Sequence, residues 1–314
     1  MSVRTAVTVG SLTLPTPVMT ASGTAGHGAE LEAYARLADL GAVVVKSLSA
    51  DPWPGNPAPR LVELPGGMLN SVGLQGPGVE AWLADDLPAL VAAGARVVVS
   101  IWGRTVDDYA RAAGLLAGVG AAPGRPGVVA LEVNVSCPNV EDRSRMFAHS
   151  PTATAEAVSA AQCGLPRWAK LSPNVADVRE IAGAALAAGA EAVTLVNTLL
   201  GLAIDLDRRR PALGGGGGGL SGPAVHPVAV RAVYECREAF PEAGIVGVGG
   251  VASGTDAVEL LMAGADAVQV GTATFRDPRA PWRVQRQLER WCARRRLSSV
   301  AELTGAAQPA GARR

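Results

Sequence analysis

Eight short apolar runs, separated by segments of helical composition, constrain this chain more than any other feature. The runs are residues 18–21, 42–45, 97–101, 128–133, 168–171, 192–196, 245–248 and 267–270. Their length suits strands, and continuous apolar character suits strands buried in a parallel sheet. Between most of them lie amphipathic or Ala-rich segments, residues 29–40, 106–118, 151–163, 175–188, 227–239 and 254–263. Strands alternating with helices read as βαβ units. One phrase recurs before several strands: Leu40-Gly41-Ala42, Ala188-Gly189-Ala190 and Ala263-Gly264-Ala265. A glycine there can end the helix in the left-handed conformation and lead directly into the strand. Eight strands with crossovers predict a closed TIM-type (β/α)8 barrel. An open doubly wound sheet is the alternative, but no strand–GxGxxG–helix unit opens the chain.

Ahead of the first run, residues 5–9 and 12–14 flank Gly10-Ser11 as a short β-hairpin would. No linker divides the sequence, so residues 1–307 read as a single domain, and the tail 308–314 is expected to be flexible. Three long connections stand out, residues 47–94, 134–150 and 197–222, and long loops on a barrel are usually functional. The 28 basic and 28 acidic residues balance, which disfavours nucleic acid or an anionic membrane as partner. The runs Arg208-Arg209-Arg210 and Arg294-Arg295-Arg296 read as solvated loop or helix ends. Cys137, Cys163, Cys236 and Cys292 are widely spaced, with no pattern for a disulfide framework, zinc or an iron–sulfur cluster. With no signal segment and no membrane-length apolar run, a cytoplasmic protein is expected.

Barrel sites form where strands end at their C-terminal face. Those ends carry Ser22-Gly23, Lys46-Ser47, Ser100, Asn134 to Asn139, Lys170 inside its strand, Asn197-Thr198, Gly249-Gly250 and Gly271-Thr272. This set has no carboxylate pair for glycosidase chemistry and no histidine cluster for zinc. His27, His149 and His226 are isolated in the sequence and read as surface or capping residues. The glycines of the last two ends expose backbone N–H groups ahead of a helix, an arrangement suited to a phosphate. Lys46 and Lys170 at a barrel mouth call for negative charge to meet them, either a flavin's N1–C2=O region or a substrate carboxylate. Asn134-Val135-Ser136-Cys137-Pro138-Asn139 ends a buried strand, and Pro138 prevents the ladder from continuing. Cys137 is therefore a candidate base or nucleophile; a small buried core thiol is the alternative.

Taken together, these phrases resemble the class 1 dihydroorotate dehydrogenase family, most closely its 1B branch. The resemblance rests on Ala21-Ser22-Gly23, Lys46-Ser47, Gly55-Asn56-Pro57 with Pro59-Arg60, Asn70-Ser71-Val72-Gly73-Leu74-Gln75, Asn134 to Asn139, Lys170 to Asn174, Asn197 to Gly201 and Leu220 to Ala224. It implies an FMN-dependent barrel that oxidises dihydroorotate to orotate in pyrimidine biosynthesis, with Cys137 removing the C5 proton while a C6 hydride passes to flavin N5. It further implies FMN contacts at Ser22, Lys46, Ser47, Ser100, Asn134, Lys170, Val196, Gly222, Gly249, Gly250, Gly271 and Thr272. Substrate contacts are implied at Lys46, Asn70, Ser71, Val72, Gly73, Leu74, Asn134, Asn139, Asn197 and Thr198. The four asparagines among them offer both donor and acceptor to a ring that carries both. A homodimer and a separate subunit carrying FAD and an iron–sulfur cluster are the implied partners; no metal is implied in this chain.

Three departures from the family pattern bear on the site. Ser100-Ile101-Trp102 stands where the family has Asn near the flavin. Asp51-Pro52-Trp53 replaces Glu-Pro-Arg, and Arg143-Ser144-Arg145-Met146-Phe147 replaces a glycine-rich covering loop. These leave open a related flavin dehydrogenase acting on another cyclic amide or carboxylate. Readings of a different class are an idle flavin-binding scaffold subunit and a phosphate-binding barrel isomerase without flavin.

Overall fold

In the computed structural model, residues 3–136, 138–139 and 145–309 are described, with residues 138, 139 and 145 described by backbone alone. Eight parallel strands form the core: β1 (Val18–Thr20), β2 (Val43–Val44), β3 (Arg96–Ile101), β4 (Gly127–Asn134), β5 (Arg167–Leu171), β6 (Ala192–Leu195), β7 (Gly244–Val248) and β8 (Ala267–Val270). Their order is β1-β8-β7-β6-β5-β4-β3-β2. The ring closes between β1 and β2 through Gly41 N–H to Val18 O at 2.8 Å, Thr20 N–H to Ala42 O at 3.3 Å, and Val44 N–H to Thr20 Oγ1 at 2.9 Å. The chain is thus a TIM barrel, as the eight-run pattern predicts. No helix among the described residues is long and apolar enough to cross a membrane.

Strand alternation and register sort the inward side chains into layers of four drawn from alternate strands. At the N-terminal end stand Ala42, Ala130, Ala192 and Ala267, followed by Met19, Val98, Trp168 and Val246, all buried in one cluster. This cluster is closed from below by Val7, Val9 and Leu14 of the predicted hairpin, whose strands Val7–Val9 and Leu12–Leu14 pair antiparallel. Val44, Glu132, Thr194 and Gln269 make the next layer, where Gln269 Nε2 donates to Glu132 Oε2 at 3.0 Å inside the barrel. Polar side chains therefore begin midway up the barrel. Above them come Ser100, Lys170 and Val248, then Lys46, Asn134, Val196 and Gly271 at the mouth. Each mouth residue of β4 and β5 stands two positions beyond a core residue, so the strand that makes the core also aims the site.

Several connections differ from their sequence reading. Residues 29–40 are not one helix but two 3-10 turns, Glu30–Ala33 and Leu37–Asp39. The Glu32 carboxylate accepts from Leu37 N–H at 2.7 Å and Glu30 accepts from Gly28 N–H at 2.9 Å, so local side-chain bonds replace a helical ladder. Gly189 and Gly264 take the left-handed conformation expected of helix-ending glycines, at φ +94° and +132°, but Gly41 does not. Gly41 is needed for close approach instead: a Cβ there would lie 2.3 Å from Thr16 O. Two of the long connections contain a shared antiparallel sheet, ordered Leu199–Gly201, Gly218–Ser221, Gly67–Asn70 and Leu61–Leu64. Gln308, expected in the flexible tail, is buried and donates through Nε2 to Tyr234 O at 2.9 Å and Ala263 O at 2.6 Å.

Candidate active site

The strand ends converge on a cavity of about 510 Å³ at the C-terminal face of the barrel. That volume lies in the range of small-molecule and cofactor sites. A chain of hydrogen bonds crosses its floor. Ser22 Oγ lies 3.2 Å from Ser47 Oγ, which lies 2.9 Å from Ser100 Oγ. Asn134 Nδ2 donates to Ser47 Oγ at 3.3 Å, while its Oδ1 accepts from Asn197 Nδ2 and from Ser136 N–H, each at 3.2 Å. Tyr109 OH donates to Asn134 O at 2.8 Å from beneath. The Asn134 amide is thereby held in one orientation by three neighbours, as a recognition group must be.

The opposite wall is backbone. Gly222, Gly249 and Gly250 adopt φ +108°, +143° and +67°, and Gly250 has no room for a side chain, since a Cβ would sit 2.7 Å from His226 Cβ. The N–H groups of Gly249, Gly250, Gly271 and Thr272 donate to no protein acceptor among the described residues. Thr272 Oγ1 donates to Ser221 Oγ at 2.8 Å at the edge of this cradle. Unpaired amides lining a concave wall are costly unless a ligand or water accepts from them, and they suit a phosphate.

Lys46 and Lys170 are the chain's only lysines, and both line the cavity. Lys170 is 6 % exposed and makes no hydrogen bond or ion pair through its ammonium to the described residues. A buried cation without a carboxylate demands an anionic partner from elsewhere. The cradle, the unpaired amides and this ammonium all fit an anionic, phosphate-bearing cofactor.

A third wall is the turn after Gly67–Asn70. Asn70 Nδ2 donates to Gly219 O at 3.1 Å, Asn56 Nδ2 donates to Ser71 Oγ at 2.9 Å, and Asn56 N–H donates to Val72 O at 3.0 Å. The turn passes through left-handed backbone at Gly73 and Leu74, with φ +71° and +60°.

Of the residues singled out from sequence, Ser22, Lys46, Ser47, Asn70, Ser71, Val72, Gly73, Leu74, Asn134, Lys170, Val196, Asn197, Thr198, Gly222, Gly249, Gly250, Gly271 and Thr272 all line this one cavity. Ser100 does not. It is fully buried behind Ser47, because its side chain is too short to pass the Ser47 hydroxyl it bonds. Cys137, Arg143 and Ser144 lie outside the described residues, and Asn139 is described only by its backbone, paired with Arg145. Sequence reasoning missed Ser136, Ser221 and His27 as cavity residues. Ser136 and Ser221 sit inside phrases already noted, so their neighbours were the available signal. His27 carried none, because its place depends on the irregular path after β1. Burial holds its imidazole below the ordinary pKa, with Asp86 opposing and Lys46 reinforcing the shift. The three described thiols do not line the cavity: burial pushes Cys236 up to about 12 and raises Cys163 and Cys292.

Comparison with known proteins points the same way. A family model described as dihydroorotate dehydrogenase matches residues 4–291. A relative from Desulforudis audaxviator, named the catalytic subunit of dihydroorotate dehydrogenase B (NAD(+)), is 50% identical over 313 residues, covering 99% of this chain and all of its own. Relatives of the same name from Trichlorobacter lovleyi and Geotalea daltonii are 45% and 46% identical over 302 residues, covering 96% of this chain and 97% of theirs.

Proposed function

The chain belongs to the dihydroorotate dehydrogenase family, and from that premise we propose that it is an oxidoreductase converting (S)-dihydroorotate to orotate in pyrimidine biosynthesis, with FMN as its cofactor. The observation that carries the cofactor is Lys170, a buried ammonium with no partner among the described residues, lining the same cavity as the glycine amides. When bound, FMN would supply the hydride acceptor that the oxidation needs. The chain's residues do the rest. Gly222, Gly249, Gly250, Gly271 and Thr272 would hold the phosphate through backbone N–H groups. Ser22, Ser47 and Val196 would wall the ring system, and Lys170 would supply the positive charge that a reduced flavin needs beside it. Asn70, Asn134, Asn139 and Asn197 orient the pyrimidine, while Lys46 and the turn Ser71–Leu74 receive its carboxylate. Cys137 as thiolate removes the C5 proton, so the C5–C6 double bond forms as proton and hydride depart to opposite acceptors.

The relatives are named catalytic subunits, which supports a partner subunit for electron delivery. We extend this to a subunit bearing FAD and an iron–sulfur cluster that passes electrons to NAD, and to a homodimer of this chain.

Anaerobic mixing of the yellow protein with dihydroorotate tests the reading. Rapid bleaching of the flavin band is the expected result. A flavin that stays oxidised would move the substrate to another cyclic amide, and a colourless protein that binds no FMN would remove the cofactor assignment. Lys170→Ala should raise the FMN dissociation constant about ten- to hundredfold, the equivalent of one charged hydrogen bond. Titration of apoprotein with FMN measures it; unchanged affinity together with unchanged flavin reduction would sink the role of Lys170.

A further inference from the structure

The turn that would receive the substrate carboxylate is strained, and its support runs away from the cavity to an aromatic anchor. Leu74 at φ +60° is a branched residue in left-handed backbone, a conformation that persists only when its surroundings enforce it. The enforcing segment is residues 53–60. Besides the two Asn56 bonds, Arg60 donates to Gln75 Oε1 and, through Nε, to Asn56 O at 2.6 Å. Ser71 N–H donates to Arg60 O at 2.8 Å. At the far end of the turn, Trp53 and Gly76 exchange both backbone bonds, at 2.9 and 3.0 Å.

Segment 53–60 contains no helix and one isolated bridge, so it needs an anchor of its own. Gly214 N–H, donating to Pro59 O at 2.8 Å, holds its C-terminal end, and the anchor of its N-terminal end is Trp53. Its ring meets Trp102 edge-to-face, with centroids 5.7 Å apart and planes at 73°. The Arg104 guanidinium lies over the Trp53 ring at 4.7 Å. Trp102 is 3 % exposed and continues β3, with its N–H donating to Leu48 O at 3.0 Å. Arg104 is fixed at the start of the next helix, Val106–Gly114, where its N–H donates to Asp108 Oδ2 at 2.9 Å. From the same helix Arg111 bonds both Asp51 oxygens, at 3.0 and 2.9 Å.

We propose that Trp53, clasped between Trp102 and Arg104, is a positioning residue that holds the turn at residues 70–75 in its substrate-receiving shape. Trp53 itself does not line the cavity; it acts through Gly76 and Asn56. The proposal rests on the assignment of that turn to the substrate. A turn that is only partly in the competent shape lowers apparent affinity by the competent fraction and leaves the chemical step alone once substrate is bound.

Kinetics and hydrogen exchange on the FMN-loaded full chain test the clasp. Trp53→Ala is expected to raise KM for dihydroorotate, and Kd for orotate read from the flavin spectrum, about tenfold, with kcat and FMN content within about twofold of the parent. Trp53→Phe keeps an edge-to-face pair and should recover most of that loss. Arg104→Ala removes only the cation and should raise KM about threefold, which also covers the case of Trp53→Ala failing to fold. A drop in melting temperature with unchanged KM and Kd would overturn the proposal and leave Trp53 a purely structural residue. Amide exchange across residues 70–75 needs no substrate. Faster exchange in either variant supports the clasp; unchanged exchange in both overturns it, even if dihydroorotate proves to be the wrong substrate. Parent protein that dihydroorotate does not reduce would instead count against the function.

Discussion

Cys137→Ala is expected to purify with its flavin and to lose turnover by about 10²- to 10⁴-fold, the usual contribution of a positioned general base. The proposed cofactor cradle is glycine backbone and Lys170, residues distant from 137 in the sequence or on another strand. In the proposed reaction the base is needed only when the C5 proton leaves. Cys137→Ser should lose nearly as much, since a hydroxyl is far less often ionised than a thiol near neutral pH. The remaining thiols make a chemical version of the experiment possible. Burial raises Cys163 and Cys292 and pushes Cys236 up to about 12, so none of them offers much thiolate at neutral pH. A limiting dose of iodoacetamide should therefore modify Cys137 first, with activity lost in step and orotate protecting. Full activity in Cys137→Ala, or in protein shown by mass spectrometry to be alkylated at Cys137, would remove it as the base.

What could be read without the structure follows from the range of the interactions involved. The barrel was legible because each βαβ unit is local: an apolar run, a helix, a glycine such as Gly189 or Gly264, and the next run. The mouth was legible for the same reason. A polar residue two positions past a buried one on a strand must surface at the C-terminal end, as Asn134 does past Glu132 and Lys170 past Trp168. That logic also sets its own limit at Ser100, which obeys the alternation and still stays covered because Ser47 stands over it.

The parts that escaped are set by contacts between distant segments. Gly67–Asn70 pairs with Gly218–Ser221, a partner about 150 residues away, and neither strand carries an apolar alternation to betray it. Its glycines are there for close approach: a Cβ on Gly219 would lie 2.0 Å from Thr198 Oγ1. Residues 29–40 have helical composition, yet the Glu32 carboxylate takes the Leu37 N–H that a helix would have used, and Glu30 ties back to Gly28 N–H ahead of the segment. Trp53 and Trp102 were visible as departures from a family pattern, but only the fold shows that they touch and that Arg104 lies over Trp53. Gln308 has a polar Pro- and Gly-rich tail as its context, and is held by the carbonyls of Tyr234 and Ala263 all the same.

Arg237→Ala is expected to destabilise the fold by about 3–5 kcal/mol, a large share of a domain's usual 5–15 kcal/mol. Arg237 is fully buried on the helix His226–Ala239, and every arm of its guanidinium is used. Nε donates to Gly264 O at 2.8 Å, Nη1 to Pro241 O at 2.6 Å and Ala243 O at 2.8 Å, and Nη2 to Asp266 Oδ2 at 2.9 Å. The same Asp266 oxygen accepts from Ile245 N–H at 2.8 Å. One side chain thus ties the entrances of β7 and β8 to the helix before them. Truncation takes the counter-charge from a buried carboxylate and a donor from each of three carbonyls, which is why the loss exceeds that of an ordinary ion pair. Lysine should recover less than half of it, because a single ammonium cannot span acceptors that the planar fork reaches together. Asp266→Asn should be milder than Arg237→Ala, and the double variant should lose less than the sum, since the two residues share one network. Urea unfolding followed by tryptophan fluorescence measures all four proteins. The pair lies at the strand entrances, opposite the cavity, so surviving folded Arg237→Ala should bind FMN and reduce it at the parent rate. A stability loss under about 1 kcal/mol, or a fall in flavin affinity without loss of stability, would contradict a purely structural role for the pair.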